Sequence, residues 1–432
     1  MTLLLDPEDG FTSAEIRDTK RFVGRTNLIT DCIKALNSPL GLVAVYGRRG
    51  VGKSSLLRQI QNMANGDYTI AIRAGVYGIV PTKPRKYYTV YYTCDGMITD
   101  VTSLLSRLCN DNNIEDGLLR LVQDKGKELT EFSRSDESSL GIDLKVVKWG
   151  DKGTDSSKYA RVVAGDVVQT FRNFIESILD TNNKIFSKRD SLLIILDEFD
   201  VIKDRSGIGS LIKSLSSKTI KFCICGIARD LIELVDDHES VERLLEEGAI
   251  DVKPMSDVET RGIFTRAEEL YKGKVSFSSS VVDKIVQLSD GYPYLAQLIG
   301  RACINRLNEQ GENQVTWTVF SHVLDDIRSG NAFPTLESAY LRAVGQSEPR
   351  KLLLTILAEQ PTDSTRYNDD VQRVALKDIR GITKDFQIEH VDQLLPRLID
   401  KKYGPALIRD PDNYGTYEWV NPVLRAYVRL RK

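Results

Sequence analysis

The chain has 432 residues, 41% of them hydrophobic and 28% charged, with a formal net charge of −2. This is the composition of an ordinary globular protein, long enough for two to four domains. It excludes a global positive field for nucleic acid or anionic lipid, so any such surface has to be local.

Residues 1–21 are polar and irregular and read as an N-terminal arm. The turn Phe22-Val23-Gly24-Arg25 follows, then Leu28, Ile29, Cys32, Ile33 and Leu36 at helical spacing. Leu42 to Tyr46 is a short apolar run that suits a buried parallel strand. It leads into Gly47-Arg48-Arg49-Gly50-Val51-Gly52-Lys53-Ser54, which fits the phosphate-binding pattern G-x-x-x-x-G-K-[ST], and Ser55 to Ile60 continues as a helix. The glycines let backbone N–H groups turn inward around phosphate oxygens, and the helix N-terminus adds its positive end. The predicted nucleotide cradle is therefore Gly47, Arg48, Arg49, Gly50, Val51, Gly52, Lys53, Ser54 and Ser55. Lys53 is expected to reach the β- and γ-phosphates of ATP or ADP, and the Ser54 hydroxyl to ligate Mg²⁺.

Tyr87 to Tyr92 is β-branched and aromatic and predicts a strand beside the P-loop strand. Val101, Leu104, Leu105 and Leu108 mark a helix. Residues 110–165 fit this pattern poorly and read as an insertion, either a surface decoration or a carrier of partner contacts. Within it Leu140 to Val146 alternates as one arm of a hairpin would. Val167, Phe171, Phe174, Ile175 and Ile178 restore a helix. The apolar run Leu192 to Leu196 ends in Asp197-Glu198. Downstream of a P-loop, Asp197 is expected to hold Mg²⁺ through water and Glu198 to deprotonate the attacking water. Phe222 to Ala228 is another buried strand, ending at Arg229, and Ala249 to Val252 is a fifth, preceded by His238 and Arg243. An ion pair of Arg243 with Glu239 or Glu246 on one helix face is the plainer reading of that arginine.

Ser256-Asp257-Val258-Glu259 is a capping box that opens the first of three helices, with the break Gly291-Tyr292-Pro293-Tyr294 before the third. From about residue 334 come further helices, then a hairpin over Ala406–Arg409 and Thr416–Val420, and a last helix through Val423, Leu424, Tyr427 and Leu430. Cysteines 32, 94, 109, 223, 225 and 303 are scattered without a C-x-x-C pair, which argues against structural zinc. Cys223 and Cys225 alternate on a strand as small hydrophobes. The short apolar run at Met1 to Asp6 and the lack of a long apolar span lead to the expectation of a cytoplasmic protein without a membrane segment.

Together the P-loop, Asp197-Glu198, Arg229, Gly291-Tyr292-Pro293 and the C-terminal helices with their hairpin resemble the STAND branch of P-loop ATPases and the neighbouring origin-recognition-type AAA+ proteins. The resemblance implies an α/β fold with a parallel sheet, then a helical lid and a winged helix. The implied domains are an arm at 1–21, an ATPase core at 22–255, a lid at 256–332 and a winged helix at 333–432. It also implies that Val23, Gly24 and Arg25 lie against the adenine, and that Pro293 approaches the nucleotide. Arg229 would sense the γ-phosphate, and Arg243 would reach a neighbouring subunit's nucleotide in a nucleotide-dependent homo-oligomer. The function implied is a molecular switch or assembly ATPase controlling a protein partner or effector supplied in trans, in defence or signalling. The alternative is a DNA-binding ATPase of initiator, repair or mobile-element type, using Arg425, Arg429, Arg431 and Lys432. No arginine lies between Asp290 and Gly300, a departure from initiator-type proteins.

Overall fold

The apolar runs without alternation become strands buried on both faces. In the computed structural model every residue of Ser191–Asp197 is buried, as expected of a parallel sheet covered by helices. The structure describes residues 4–39, 41–111, 113–121, 129–134, 141–147, 158–163, 171–172, 175–176, 178–179, 189–205, 208–216, 220–228, 234, 245, 248–360, 373–386, 388–410 and 413–432.

In chain order the elements begin with α1 (Pro7–Gly10), α2 (Thr26–Asn37), β1 (Leu42–Gly47), α3 (Lys53–Ala64), α4 (Thr69–Arg73), β2 (Tyr87–Thr93) and α5 (Val101–Asn110). Next are β3 (Leu129–Arg134), β4 (Gly141–Val147), β5 (Lys158–Val163), β6 (Ser191–Asp197), α6 (Ile208–Leu215), β7 (Ile220–Ile227) and β8 (Ala249–Asp251). They continue with α7 (Asp257–Leu270), β9 (Ser276–Phe277), α8 (Ser279–Ser289), α9 (Pro293–Gln310), β10 (Gln314–Val315), α10 (Trp317–Ser329) and α11 (Pro334–Val344). The last are α12 (Glu348–Glu359), β11 (Arg373–Ala375), α13 (Leu376–Asp385), α14 (Val391–Ile399), β12 (Leu407–Arg409), β13 (Thr416–Trp419) and α15 (Pro422–Leu430). Phe171, Ile175 and Ile178 are helical and buried, as their spacing predicts; Val167 and Phe174 lie outside the described residues.

The chain divides into two compact units. One is Thr26–Gly47 with Lys53–Val252. Its main sheet has the order β2-β6-β7-β1-β8, and every pairing in it is parallel. One strand, β7, thus separates the P-loop strand β1 from β6, which ends in Asp197. The register sets Gly47 opposite Ile227 and Leu196 opposite Ile224, so the carboxyl ends of all three strands come out together. Ligands of open α/β sheets bind at such ends. The strand at Tyr87 is real but is not beside β1: among the described residues it pairs with β6 alone, at the sheet edge. β propensity identifies a strand and says nothing of its neighbour. The exposed side of that edge is met by Asp116, whose carbonyl accepts the Tyr91 N–H at 2.9 Å. β3, β4 and β5 form a separate antiparallel sheet with β4 at its centre, so the alternating stretch pairs on both sides.

The other unit is Met1–Arg25, Arg48–Gly52 and Lys253–Lys432. The capping box at Ser256 and Glu259 forms as predicted, with both reciprocal hydrogen bonds. Its helices α7, α8, α9 and α10 enclose a core that includes Phe264, Ile285, Leu295, Ile299 and Phe320. The N-terminal segment, expected to be irregular, is built into this core. Phe11 is fully buried in an aromatic cluster with Phe264 and Phe277. A Cβ at Gly300 would fall 2.4 Å from the Phe11 ring, so only glycine admits it. Further along, β11, β13 and β12 make an antiparallel sheet with β13 in the middle, accompanied by α12, α13, α14 and α15.

Candidate functional site

Within the unit that carries the parallel sheet, the site begins at the junction of β1 and α3. Gly47 has a φ of 144°, which glycine adopts without strain; Gly50 and Gly52, at 82° and 98°, belong to the other unit. A Cβ at Gly47 would meet the Val252 carbonyl oxygen at 2.5 Å. Lys53 opens α3, and its Nζ donates to the Gly47 carbonyl at 2.9 Å, at the end of β1. Ser54 and Ser55 are half-buried in the same first turn.

Asp197 closes β6 and is buried. Its Oδ1 accepts the Glu198 N–H at 2.9 Å, and its Oδ2 accepts the Tyr91 hydroxyl at 2.6 Å. Burial, then the Asp197 charge, push the Tyr91 phenol far above its ordinary pKa, so it stays a donor throughout the physiological range. The Arg58 guanidinium, on α3, lies 3.5 Å from the centroid of the Tyr91 ring. Arg58 donates to Asp116 Oδ2 at 3.0 Å and to the Gln61 side chain at 3.0 Å, and Gln61 donates to Asp116 Oδ1 at 2.6 Å. Burial, then Asp197, raise the pKa of the Cys225 thiol, with Lys53 pulling the other way. Cys225 thus lies within electrostatic reach of both residues at the strand ends. Glu198 is exposed, and its backbone is left-handed, with φ at 52°.

In the other unit, residues Arg48–Gly52 of the loop have partners far along the chain. Arg48 donates to Glu418 of β13 at 2.6 Å, and Glu418 is fully buried. A Cβ at Gly50 would strike Val423 of α15 at 2.6 Å, and one at Gly52 would touch the Pro293 ring at 3.7 Å. Arg25, left-handed at φ 63° and buried, donates to the carbonyls of Val51 at 2.8 Å and Lys253 at 2.6 Å. Its N–H is accepted by Glu259 at 2.6 Å. Burial lowers the Arg25 pKa against the opposing pull of Glu259. Burial acts to raise the Glu259 carboxyl, but hydrogen bonds from Ser256 and the Arg25 N–H outweigh it and hold the carboxyl below its ordinary value. Val23 is half-buried, and a Cβ on Gly262 would meet its Cγ1 at 2.7 Å. Arg49 is exposed. Pro293 begins α9, after Gly291 at φ 73°.

Arg229, His238 and Arg243 lie outside the described residues. The C-terminal arginines do not form a free basic face. Arg425 and Arg429 both donate to Asp290, at 3.0 and 2.6 Å, Arg431 pairs with Glu337 at 2.8 Å, and Lys432 pairs with Glu359 at 2.5 Å. Arg425 and Arg429 lie on α15 and Arg431 and Lys432 just after it, and each meets an acidic partner. Sequence reading missed Tyr91, Arg58, Asp116 and Glu418. The Glu115-Asp116 pair and the aromatic strand gave no sign that they meet.

Among the described residues no group of three or more His, Cys, Asp or Glu side chains is placed to hold a metal ion. Ser54 and Asp197 supply hard oxygen donors, the kind Mg²⁺ accepts alongside phosphate oxygens and water. The donor set therefore suits Mg²⁺ arriving with a nucleotide, and does not suit an ion caged by protein alone.

The parallel sheet, its strand order and the Gly47–Lys53 loop make this an α/β protein with the P-loop NTPase fold. No protein-family model matches the chain, and no curated protein matches it. Among solved structures it is similar to a Walker-type ATPase of Pyrococcus abyssi, at 16% identity and a TM-score of 0.49, over 96% of this chain and 98% of that one. It is also similar to Cdc6p from Pyrobaculum aerophilum, at 12% identity and 0.43, over 98% and 97%. A third is the ORC1 protein of Aeropyrum pernix, in complex with DNA, at 14% and 0.44, over 97% and 93%. Among the described residues no helix is long and apolar enough to cross a membrane.

Proposed function

We propose that the protein binds ATP and ADP with Mg²⁺, hydrolyses ATP, and uses the cycle as a switch acting on a protein partner. The observation that carries this reading is the strand–loop–helix at Gly47–Lys53, with Lys53 held 2.9 Å from the Gly47 carbonyl. A phosphate offers the ammonium an opposite charge that a neutral carbonyl does not, and opposite charges attract strongly in a partly buried site. Lys53 would release Gly47 and take the β- and γ-phosphate oxygens. Mg²⁺, held through Ser54 and Asp197, would neutralise charge on the phosphates. Glu198 follows Asp197 directly and is exposed, which suits a base that must meet water. Val23, Gly24, Arg25 and Pro293 would border the nucleotide, with Arg48, Arg49 and Val51 contributing backbone N–H groups. Arg229 would read the γ-phosphate, and Arg243 would serve a neighbouring subunit in a nucleotide-dependent oligomer. Residues 256–332 would act as a lid, and the helices and three-stranded sheet of 333–432 as a winged helix. In calorimetry, Lys53→Ala is expected to abolish measurable ATP binding; equal affinity in wild type and variant would overturn the assignment.

A second reading is a DNA-binding ATPase. Its support is a set of exposed basic residues on and after α13 and α14: Lys377, Arg380, Lys384, Arg397, Lys401 and Lys402. Acids are interleaved with them, and Arg380 pairs with Asp392 at 3.6 Å. The ORC1 structure was solved with DNA, which makes duplex DNA the first nucleic acid to try. If this reading holds, reversing Arg397, Lys401 and Lys402 to Glu weakens duplex binding and lowers its salt slope by about one per lost phosphate contact. Wild-type protein that gives no salt-dependent shift excludes it.

A further inference from the structure

Asp197 is held from both sides, and only one of its holders is part of the nucleotide motifs. A carboxylate's terminal torsion is a broad, soft rotor. Here each oxygen carries its own donor: Glu198 N–H on Oδ1 and Tyr91 Oη–H on Oδ2. Tyr91 is itself fixed. Its backbone N–H is bound by Asp116, and its ring lies under the Arg58 guanidinium, which the Asp116 carboxylate holds. The side chains of Tyr91, Arg58 and Asp116 are all buried or nearly so, and Arg58 belongs to the helix that Lys53 begins. The register explains the meeting: Tyr91 faces Ile195 and Thr93 faces Asp197, so Tyr91 and Asp197 project from the same face of the sheet.

We propose that Tyr91 is a positioning residue for Asp197, aiming its carboxylate at Mg²⁺, and that Arg58 and Asp116 brace Tyr91 from the P-loop helix. The proposal rests on the nucleotide-site reading. A partner that orients a metal-binding carboxylate typically governs metal affinity as well as rate. With the Tyr91 hydroxyl removed, Oδ2 loses its donor and the carboxylate can turn. The nucleotide's own contacts with Lys53 and the loop remain.

The test uses the full chain, a non-hydrolysable ATP analogue and Mn²⁺ as the probe, read by electron paramagnetic resonance. Analogue affinity is measured separately in chelator, without metal. In Tyr91→Phe the Mn²⁺ dissociation constant is expected to rise about 10- to 100-fold, with metal-free analogue affinity unchanged. Asp197→Asn serves as reference. If Asp197→Asn loses Mn²⁺ while Tyr91→Phe binds it like wild type, the positioning role is overturned and the nucleotide site stands. If Asp197→Asn also binds Mn²⁺ like wild type, the site reading itself fails, and the proposal with it. Should Tyr91→Phe lose metal-free analogue binding, Arg58→Lys decides. It keeps a charge for Asp116 but removes the flat guanidinium over the ring. Weakened Mn²⁺ binding in that variant supports the bracing, and wild-type binding overturns it.

Discussion

Glu198 stands in the left-handed region, which costs a residue with a β-carbon about 1–3 kcal/mol. Its N–H is bound by the side chain of Asp197 just before it, so the turn that aims one acid is held by the other. Glu198→Gln keeps the size and the backbone demand but removes the base. Hydrolysis is expected to fall about 100-fold or more, while ATP affinity stays at the wild-type level; phosphate-release rates and calorimetry check the two halves. Unchanged hydrolysis would assign the water to another group. At this scale the sequence is informative where residues are contiguous. Gly47 to Ser54 and Asp197-Glu198 are legible because local spacing alone places them on a loop and a strand end. Tyr91 is not legible: it meets Asp197, 106 positions away, only because β2 pairs with β6. Arg48 and Glu418, 370 positions apart, are further still from any local pattern.

Among the elements, α15 shows how a charged helix can be misread. A run of arginines near a chain end suggests a polyanion partner, but charge in a sequence carries no facing. Arg425 is buried, and its partner Asp290 sits directly before the Gly291-Tyr292-Pro293 turn. Reversing its charge would break packing rather than report on DNA. Glu337 of α11 fastens the other end of α15. The hydrogen bond from Arg431 comes first in lowering its pKa, burial opposes it, and the Tyr427 hydroxyl adds to the lowering. A carboxylate held below its unfolded value of 4.5 contributes stability above that pH, and the contribution is lost as pH falls through the folded value. Glu337→Gln is therefore expected to melt lower than wild type at neutral pH and to lose less in acid, so that the two melting temperatures converge below pH 4.5. Parallel melting curves across that range would remove Glu337 from the acid response. α2 carries an opposite charge at its end. The buried Lys221 ammonium donates to the carbonyls of Ala35 and Ser38 at 2.7 and 2.9 Å, satisfying groups that a helix C-terminus leaves open. A lysine inside an apolar strand gave no hint of that task in the sequence.

At the scale of the whole molecule, the open question is assembly. Arg243→Ala and Lys53→Ala proteins are each expected to be inactive alone. If Arg243 acts on a neighbour's nucleotide, mixing them restores part of the activity, since some sites then join an intact loop to an intact arginine; trans-acting arginines are worth about 10³ to 10⁵ in rate. Mixed oligomers that form on size-exclusion chromatography with ATP yet show no recovery would leave Arg243 as an ion-pair residue.

The seating of Phe11 has a consequence in time. Its ring is closed over by Phe264, Phe277 and Gly300, far along the chain. At about 5–20 residues per second, the roughly 290 residues that separate Phe11 from Gly300 take about 15–60 s to synthesise. Through that interval the nascent chain carries an aromatic side chain that the finished protein hides completely. The N-terminal segment is made early and housed late, and until residue 300 has emerged it is open to whatever apolar surface it meets.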